Sequence, residues 1–322
     1  MNESEKFYSK ILLFGEYSVL LGSMALSVPY SHFQGELSFI HEDKYTDLDF
    51  AVTSNKLLRE LHHYLHENAT TNHLSTLLDL NLFEKELSQS LYFESSIPQS
   101  YGIGSSGALC AALYGRYAIN RIPSKGASQV QIKELRSIFS TIESFFHGKS
   151  SGIDPLSCYL KYPLLIRKDG DIELVGIPRN KSDRSSGIFL LDSGTSGKTG
   201  PLVTLFLSNF APNGNVSPQG EELIRLNDAS IQNLISGDYS SFWISAKRLS
   251  QFQLANLADM IPAELVAVWE QGLISDTFYL KLCGSGGGGF LTGFAPNYAS
   301  VSSYLLANKF THFPVYLSGL QE

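Results

Sequence analysis

The segment PQSYGIGSSG, residues 98–107, limits the folding of this chain more than any other. It stands between an alternating run that ends at Pro98 and a small-residue stretch, Gly107 to Ile119, that reads as a helix. Glycine takes positive φ without a Cβ penalty, so Gly102, Gly104 and Gly107 predict a tight strand-to-helix turn that a ligand can approach closely. Successive N–H groups ahead of a helix N-terminus make a site for phosphate oxygens. Ser105 and Ser106 add hydroxyls that can cap the helix, bind phosphate or meet a divalent cation. The glycines also satisfy the dinucleotide pattern G-x-G-x-x-G, but that pattern needs an acid further on for the ribose. Between Ile97 and Lys133 there is no Asp or Glu. A helix-capping turn and a nucleotide-phosphate loop both remain open on this segment alone.

A second glycine run, GTSGKT at 194–199, misses the Walker A pattern because Asp192 stands where its first glycine belongs. A turn after a strand is the expectation there.

The chain has 322 residues, 43% of them hydrophobic, which is enough for a substantial core in two lobes. The pattern of elements restarts at Ser186, so the lobes are expected at 1–185 and 186–322. A formal net charge of -7 argues against a nucleic-acid-binding surface. Cys110, Cys158 and Cys283 are widely spaced and lack CxxC partners, which suits reduced core thiols in a cytoplasmic protein. The apolar stretch Ile11 to Leu21 is broken by Gly15 and Glu16, so neither a signal peptide nor a membrane span is expected.

KILLFGEYSV, from Lys10, reads as a strand running into a Gly-Glu turn. Leu48 to His66 reads as a strand end followed by a helix, and Leu77 to Pro98 as two β-like runs. Gln131 to His147 is the clearest helix, with Ile132, Leu135, Ile138, Phe139, Ile142, Phe145 and Phe146 on one stripe. Glu221 to Ile235 and Pro262 to Leu273 also read as helices. Gly187 to Leu191 and Thr277 to Leu282 read as strands, with a helix and a strand closing the chain. His62, His63 and His66 share a helix, but no further ligand has a reason to join them, so a solvated face is expected.

Projected at about 100° per residue, Glu143 falls beside Ile132 at the rim of the apolar stripe, where a charge is costly unless paired. A bridge to a surface Lys or Arg is the plain reading. Asp154 lies in the loop HGKSSGIDP, where a lone Asp is ordinarily a cap or turn residue. Phosphoryl transfer accounts for both carboxylates together, since it needs a phosphate cradle, a divalent cation and a group that handles the proton of the attacking hydroxyl. Glu143 with Ser106 could hold Mg²⁺ through oxygen ligands. Asp154 could accept the proton, and Lys10 could polarise the hydroxyl.

Three segments, KILLFGEYSVLLG, PQSYGIGSSGA and KLCGSGGGGF, resemble in order the three motifs of the GHMP kinase superfamily, and HGKSSGID is similar to the acid loop of mevalonate kinases. Together they span residues 10–290. The resemblance implies an α+β protein with a ribosomal-protein-S5-like N-terminal lobe and a ferredoxin-like C-terminal lobe. It implies an ATP- and Mg²⁺-dependent kinase acting on the primary hydroxyl of mevalonate. By the same resemblance Pro98, Ser100, Gly102, Ile103, Gly104, Ser105 and Ser106 bind ATP, and Ser106 and Glu143 hold Mg²⁺. Asp154 and Lys10 are catalytic, while Glu16, Tyr17 and Gly286 line the substrate site. Tyr17 departs from the His common after Gly-Glu in mevalonate kinases and is similar to phosphomevalonate kinases, which makes phosphomevalonate the alternative substrate. Lys149, Lys198 and Arg116 are then the available cations for its phosphate. A non-catalytic ligand sensor is the reading from another class, although the lysine and both acids are retained. A homodimer is left open.

Overall fold

The first apolar run forms β1 (Phe7–Phe14), with Phe7, Ile11, Leu13 and Phe14 buried. A 3-10 turn at Ser18–Leu21 follows, and β2 (Ala25–Phe39) returns beside β1. The computed structural model describes residues 5–40, 47–68, 74–179, 185–197 and 199–318. Its chain forms two units interleaved along the sequence: residues 1–10, 29–98 and 104–162 in one, and 11–28, 99–103 and 163–322 in the other. Strands β1 and β2 each pass from one unit to the other, so segments 11–28, 99–103 and 163–185, which precede the expected cut near 185, belong to the second unit.

In the first unit β2 pairs antiparallel with β3 (Leu91–Ser95), from Gly35 opposite Ser95 to Phe39 opposite Leu91. Between these strands lie α1 (Leu48–Glu67), a single turn α2 (Leu74–Leu77) and α3 (Leu80–Ser88). Two expectations are corrected here. Leu48 opens a helix rather than ending a strand, because the Asp47 carboxylate accepts the Phe50 N–H at 3.0 Å and caps it. The first of the two β-like runs is α3: Asp79 caps it, and Leu80, Phe83 and Leu87 are buried at helical spacing. The alternation in LSQSLYFES belongs to the strand alone and hid the helical period before it.

Helix α4 (Ser105–Tyr117) is buried from Gly107 through Tyr114, as its small apolar residues require. It packs against α5 (Gln129–His147) and α6 (Ile153–Leu160). The stripe foreseen on α5 is buried from Ile132 to Ile142 and half-buried at Phe145 and Phe146, and Ser128 with Gln131 closes a capping box at its start. Asp154, expected in a loop, is the second residue of α6. Gly152, at φ 72°, ends the loop sharply enough for that helix to begin.

The second unit adds β4 (Leu164–Ile166), which pairs with Ala25–Ser27 of β2, and β5 (Ile172–Leu174), which pairs with β4. Its other sheet follows β6 (Gly187–Asp192), then α7 (Thr199–Phe210), α8 (Pro218–Ser236), α9 (Tyr239–Asn256) and α10 (Ala263–Ser275). The chain closes with β7 (Tyr279–Leu282), β8 (Phe290–Ala295), α11 (Tyr298–Ala307) and β9 (His312–Leu317). The strand order is β7-β8-β6-β9, with every pairing antiparallel. One strand, a helical excursion, two consecutive strands, a helix and a last strand make the split βαβ arrangement of ferredoxin-like folds. The sequence missed β8 and α9. The strand FLTGFA carries an internal glycine, and in YSSFWISAKRLSQFQLAN polar residues interrupt the stripe.

Among the described residues no helix is long and apolar enough to cross a membrane. All three cysteines are free and buried. After β6 the Asp192 carboxylate accepts the Gly194 N–H at 2.7 Å, so the GTSGKT run begins as a side-chain-closed turn, while its Lys198 lies outside the described residues.

The contact of α4 with α6 depends on Gly107. A Cβ there would stand 2.9 Å from the Asp154 carbonyl carbon and 3.0 Å from the Pro155 nitrogen. Gly107→Ala must therefore push two backbones apart, and we expect a loss of about 1–3 kcal/mol in urea denaturation. Unchanged stability would show that the helices separate freely.

Candidate active site

Lys10 is the last residue of β1 in the first unit and is buried. A buried ammonium needs an anion, and its Nζ lies 2.9 Å from Asp154 Oδ2. The lysine side chain is 6% exposed and the aspartate 37%, so the pair has one dry and one wet end. The lysine stem lies against the turn before α4. A Cβ on Gly104 would come within 2.8 Å of Lys10 Cγ, and Gly104 sits at φ 80°, so glycine is required there twice over. The α4 N–H groups of the first turn, from Ser105 onward, are the orphan donors of a helix start, and Gly104 offers no side-chain cap for them.

Glu143 is not the rim glutamate of the plain reading. It is 3% exposed, inside the fold rather than at its rim. Its Oε1 accepts from Ser106 Oγ at 3.4 Å and its Oε2 accepts from Ser150 Oγ. Burial pushes its carboxyl from an ordinary 4.5 up to about 7, and the negative charge of Asp154 adds to the rise. The two serine hydroxyls and the Lys10 charge pull the other way. His147, one turn further along α5, brings Nε2 to 3.3 Å from Ser106 Oγ.

The loop between α5 and α6 is strapped down by its own polar groups. Ser140 Oγ donates to the Ser150 carbonyl at 2.6 Å, and Arg136 Nε donates to the Ser151 carbonyl at 3.1 Å. Ser150 Oγ also accepts the Gly152 N–H at 3.0 Å, so one hydroxyl ties the Glu143 carboxylate to the start of the helix that carries Asp154. The sequence reading passed over Ser150 because a serine in a Ser-Gly loop is ordinary. Its signal was position alone, between two acids singled out for chemistry.

The remaining candidates divide between the units. Pro98 belongs to the first, while Ser100, Gly102, Ile103, Glu16, Tyr17 and Gly286 belong to the second. In that second unit the Ser100 carbonyl accepts the Gly197 N–H at 3.2 Å, and the Gly102 backbone lies against Cys283 and Gly284. Ile103 is buried. Glu16 Oε2 is 2.6 Å from Lys281 Nζ, with both side chains at most 2% exposed. Tyr17, at φ 63°, donates its hydroxyl to the Ser285 carbonyl, and burial pushes the phenol up to about 12. Gly286 lies against the Met260 carbonyl, which accepts the Gly287 N–H at 2.7 Å. Glu16 is thus engaged by strand β7 and Tyr17 by the glycine segment that follows it. Lys281 was missed, although a lysine inside the apolar strand YLKL is a buried charge that must have a partner.

Residues 68–161, which contain the turn, Glu143 and Asp154, match the family GHMP kinases N terminal domain. Over those residues the chain carries a GHMP kinase N-terminal domain. It is 25% identical over 324 residues to a mevalonate kinase of Pyrococcus abyssi, covering 89% of this chain and 87% of that one. Its fold is similar to that of the Methanococcus jannaschii mevalonate kinase, with TM-score 0.62, 16% identity and coverage of 97% of each chain. It is similar also to that of the Streptococcus pneumoniae phosphomevalonate kinase, with TM-score 0.60, 12% identity and coverage of 97% of this chain and 99% of that one. With that domain and the likeness to mevalonate kinases, this protein is an ATP-dependent, mevalonate kinase-like kinase of a small molecule.

The site of this GHMP kinase suits a hard divalent cation. Glu143 is a dry carboxylate that Asp154 repels more than Lys10 attracts, and a cation would add counter-charge there. Ser106 and Glu143 offer two oxygens, which leaves most of an octahedral shell to phosphate and water, as Mg²⁺ prefers. Among the described residues no group of three or more His, Cys, Asp or Glu side chains could hold a metal without such help. His62 instead meets the Leu80 carbonyl at 3.1 Å, and His63 meets Glu67 at 3.3 Å.

The raised carboxyl makes stability depend on pH. Between 4.5 and about 7 the folded chain binds a proton at Glu143 that the unfolded chain has released. The contribution is therefore fully present below 4.5 and is lost as pH rises towards 7. We expect nucleotide-free, metal-free wild type to lose stability relative to Glu143→Gln across that window, by on the order of 2–3 kcal/mol in urea denaturation. Parallel curves for the two proteins would mean that Glu143 is hydrated.

Proposed function

We propose that this GHMP kinase transfers the γ-phosphoryl group of ATP to the primary hydroxyl of mevalonate. The observation that carries the chemistry is the Lys10–Asp154 ion pair, a 2.9 Å contact with a buried lysine and a half-exposed aspartate. An alcohol at the wet end of that pair would meet a carboxylate able to take its proton and an ammonium able to stabilise the oxyanion. Within the first unit, Gly104, Ser105 and Ser106 would hold the ATP phosphates, with the α4 N-terminus facing their charge. Mg²⁺ on Ser106 and Glu143 would neutralise charge on the transferred phosphoryl group. Ser150 keeps the Glu143 carboxylate oriented while Oε1 stays turned to Ser106. Within the second unit, Lys281 and the Ser285 carbonyl fix Glu16 and Tyr17, which with Gly286 are the residues the resemblance assigns to substrate.

Mevalonate is favoured over phosphomevalonate by the state of the cations that a substrate phosphate would need. Arg116 is forked onto Glu86 at 2.6 and 2.7 Å, and that pair lowers the Glu86 carboxyl against its own burial. Lys149 is exposed on its loop, and Lys198 lies outside the described residues. Likeness to the Pyrococcus abyssi mevalonate kinase across 89% of the chain supports the same choice.

An ADP-release assay across mevalonate, phosphomevalonate, homoserine and galactose tests the substrate. ADP release with mevalonate is expected; release with phosphomevalonate alone would replace the assignment, and silence with all four would remove it. Asp154→Asn should lower kcat by roughly 10²–10⁴-fold while ATP affinity stays within about threefold. Turnover near the wild-type rate would take Asp154 out of the proton transfer.

A further inference from the structure

We propose that His147 is a third side-chain ligand of the divalent cation that accompanies ATP, giving this site a nitrogen donor and a preference for Mn²⁺ beyond that of an all-oxygen shell. The inference rests on the kinase reading above and adds a residue to it.

Three atoms carry the argument. Ser106 Oγ is 3.4 Å from Glu143 Oε1 and 3.3 Å from His147 Nε2. Adjacent ligand atoms in an octahedral shell with bonds of about 2.1 Å lie about 3 Å apart. The serine oxygen therefore stands within a few tenths of an ångström of that spacing from both a carboxylate oxygen and an imidazole nitrogen. Glu143 and His147 are one turn apart on α5, on one helix face, and i, i+4 pairs on a helix are a recurrent way of presenting two donors to one ion. The other carboxylate oxygen, Oε2, is taken by Ser150 Oγ, so the oxygen left for an ion is the one beside Ser106.

The histidine has the freedom that a ligand needs. Its ring is exposed at the C-terminal end of α5, and its nearest recorded ring contact is Phe146, at a centroid distance of 6.3 Å. It can turn by the small amount required without repacking the core. A neutral imidazole binds Mn²⁺ modestly and Co²⁺ more tightly, and both better than Mg²⁺, which takes oxygen. The consequence is a metal preference written into one residue of a helix end.

The test uses the full chain labelled with ¹⁵N-histidine, loaded with Mn²⁺ and ADP, and read by pulsed EPR. A ¹⁵N coupling of a directly bound imidazole is expected in wild type and should vanish in His147→Ala. In calorimetric titrations of the ADP complex, His147→Ala should weaken Mn²⁺ by about 10-fold or more and Mg²⁺ by less than about threefold. Mn²⁺ bound with ADP but without histidine coupling overturns the inference and leaves the kinase reading standing, with His147 only a hydrogen-bond partner of Ser106. Failure of wild type to bind Mn²⁺ and ADP at all overturns the kinase reading and this inference with it.

Discussion

The first unit is organised around the need of one buried lysine for an anion. Lys10 leaves β1 in the dry interior, and Asp154 answers it from the first turn of α6. Bringing those two elements together demands space that side chains would fill. Gly104 gives way to the lysine stem, and Gly107 lets α4 approach the backbone of Asp154. The glycine turn therefore serves two ends at once: it leaves the first N–H groups of α4 without a side-chain cap and allows the ion pair to form beside them.

Two carboxylates near one another can do different work only if their surroundings differ. Asp154 has a cation against it and water within reach. Glu143 has serine hydroxyls and a desolvated pocket, and its carboxyl is pushed up accordingly. That contrast gives the two carboxylates different chemical character. Ser150 links the two, since its hydroxyl meets Glu143 and its acceptor lone pair meets the N–H of the residue that opens α6.

In the second unit a comparable economy ties the Gly-Glu-Tyr turn to the C-terminal glycine segment. Glu16 and Lys281 exclude water together, and breaking such a pair from one side leaves an uncompensated buried charge. The Tyr17 hydroxyl adds a second tie at Ser285. Two segments far apart in sequence thus hold one another's shape, which explains why a lysine sits in the middle of an apolar strand.

The α5 stripe, the small-residue helix α4 and the strand leading to Gly15 were all legible in the chain, because burial of a periodic face leaves a period in the residues. The acids and Lys10 were legible as chemistry through their motifs. The helix α3 was not, since a polar alternation adjoining it imitated a strand, and α9 was not, since its buried face carries Ser245, Ser250 and Gln253. Sequence by itself determined which residues were available: a glycine-rich turn, two acids, one early lysine, and an order of motifs that resembles that of GHMP kinases. Tertiary structure decided which of them meet. Only folding could show Glu143 dry and held by serines, Glu16 committed to Lys281, and Arg116 spent on Glu86, because hydration and pairing are properties of neighbours that the chain brings together from a distance.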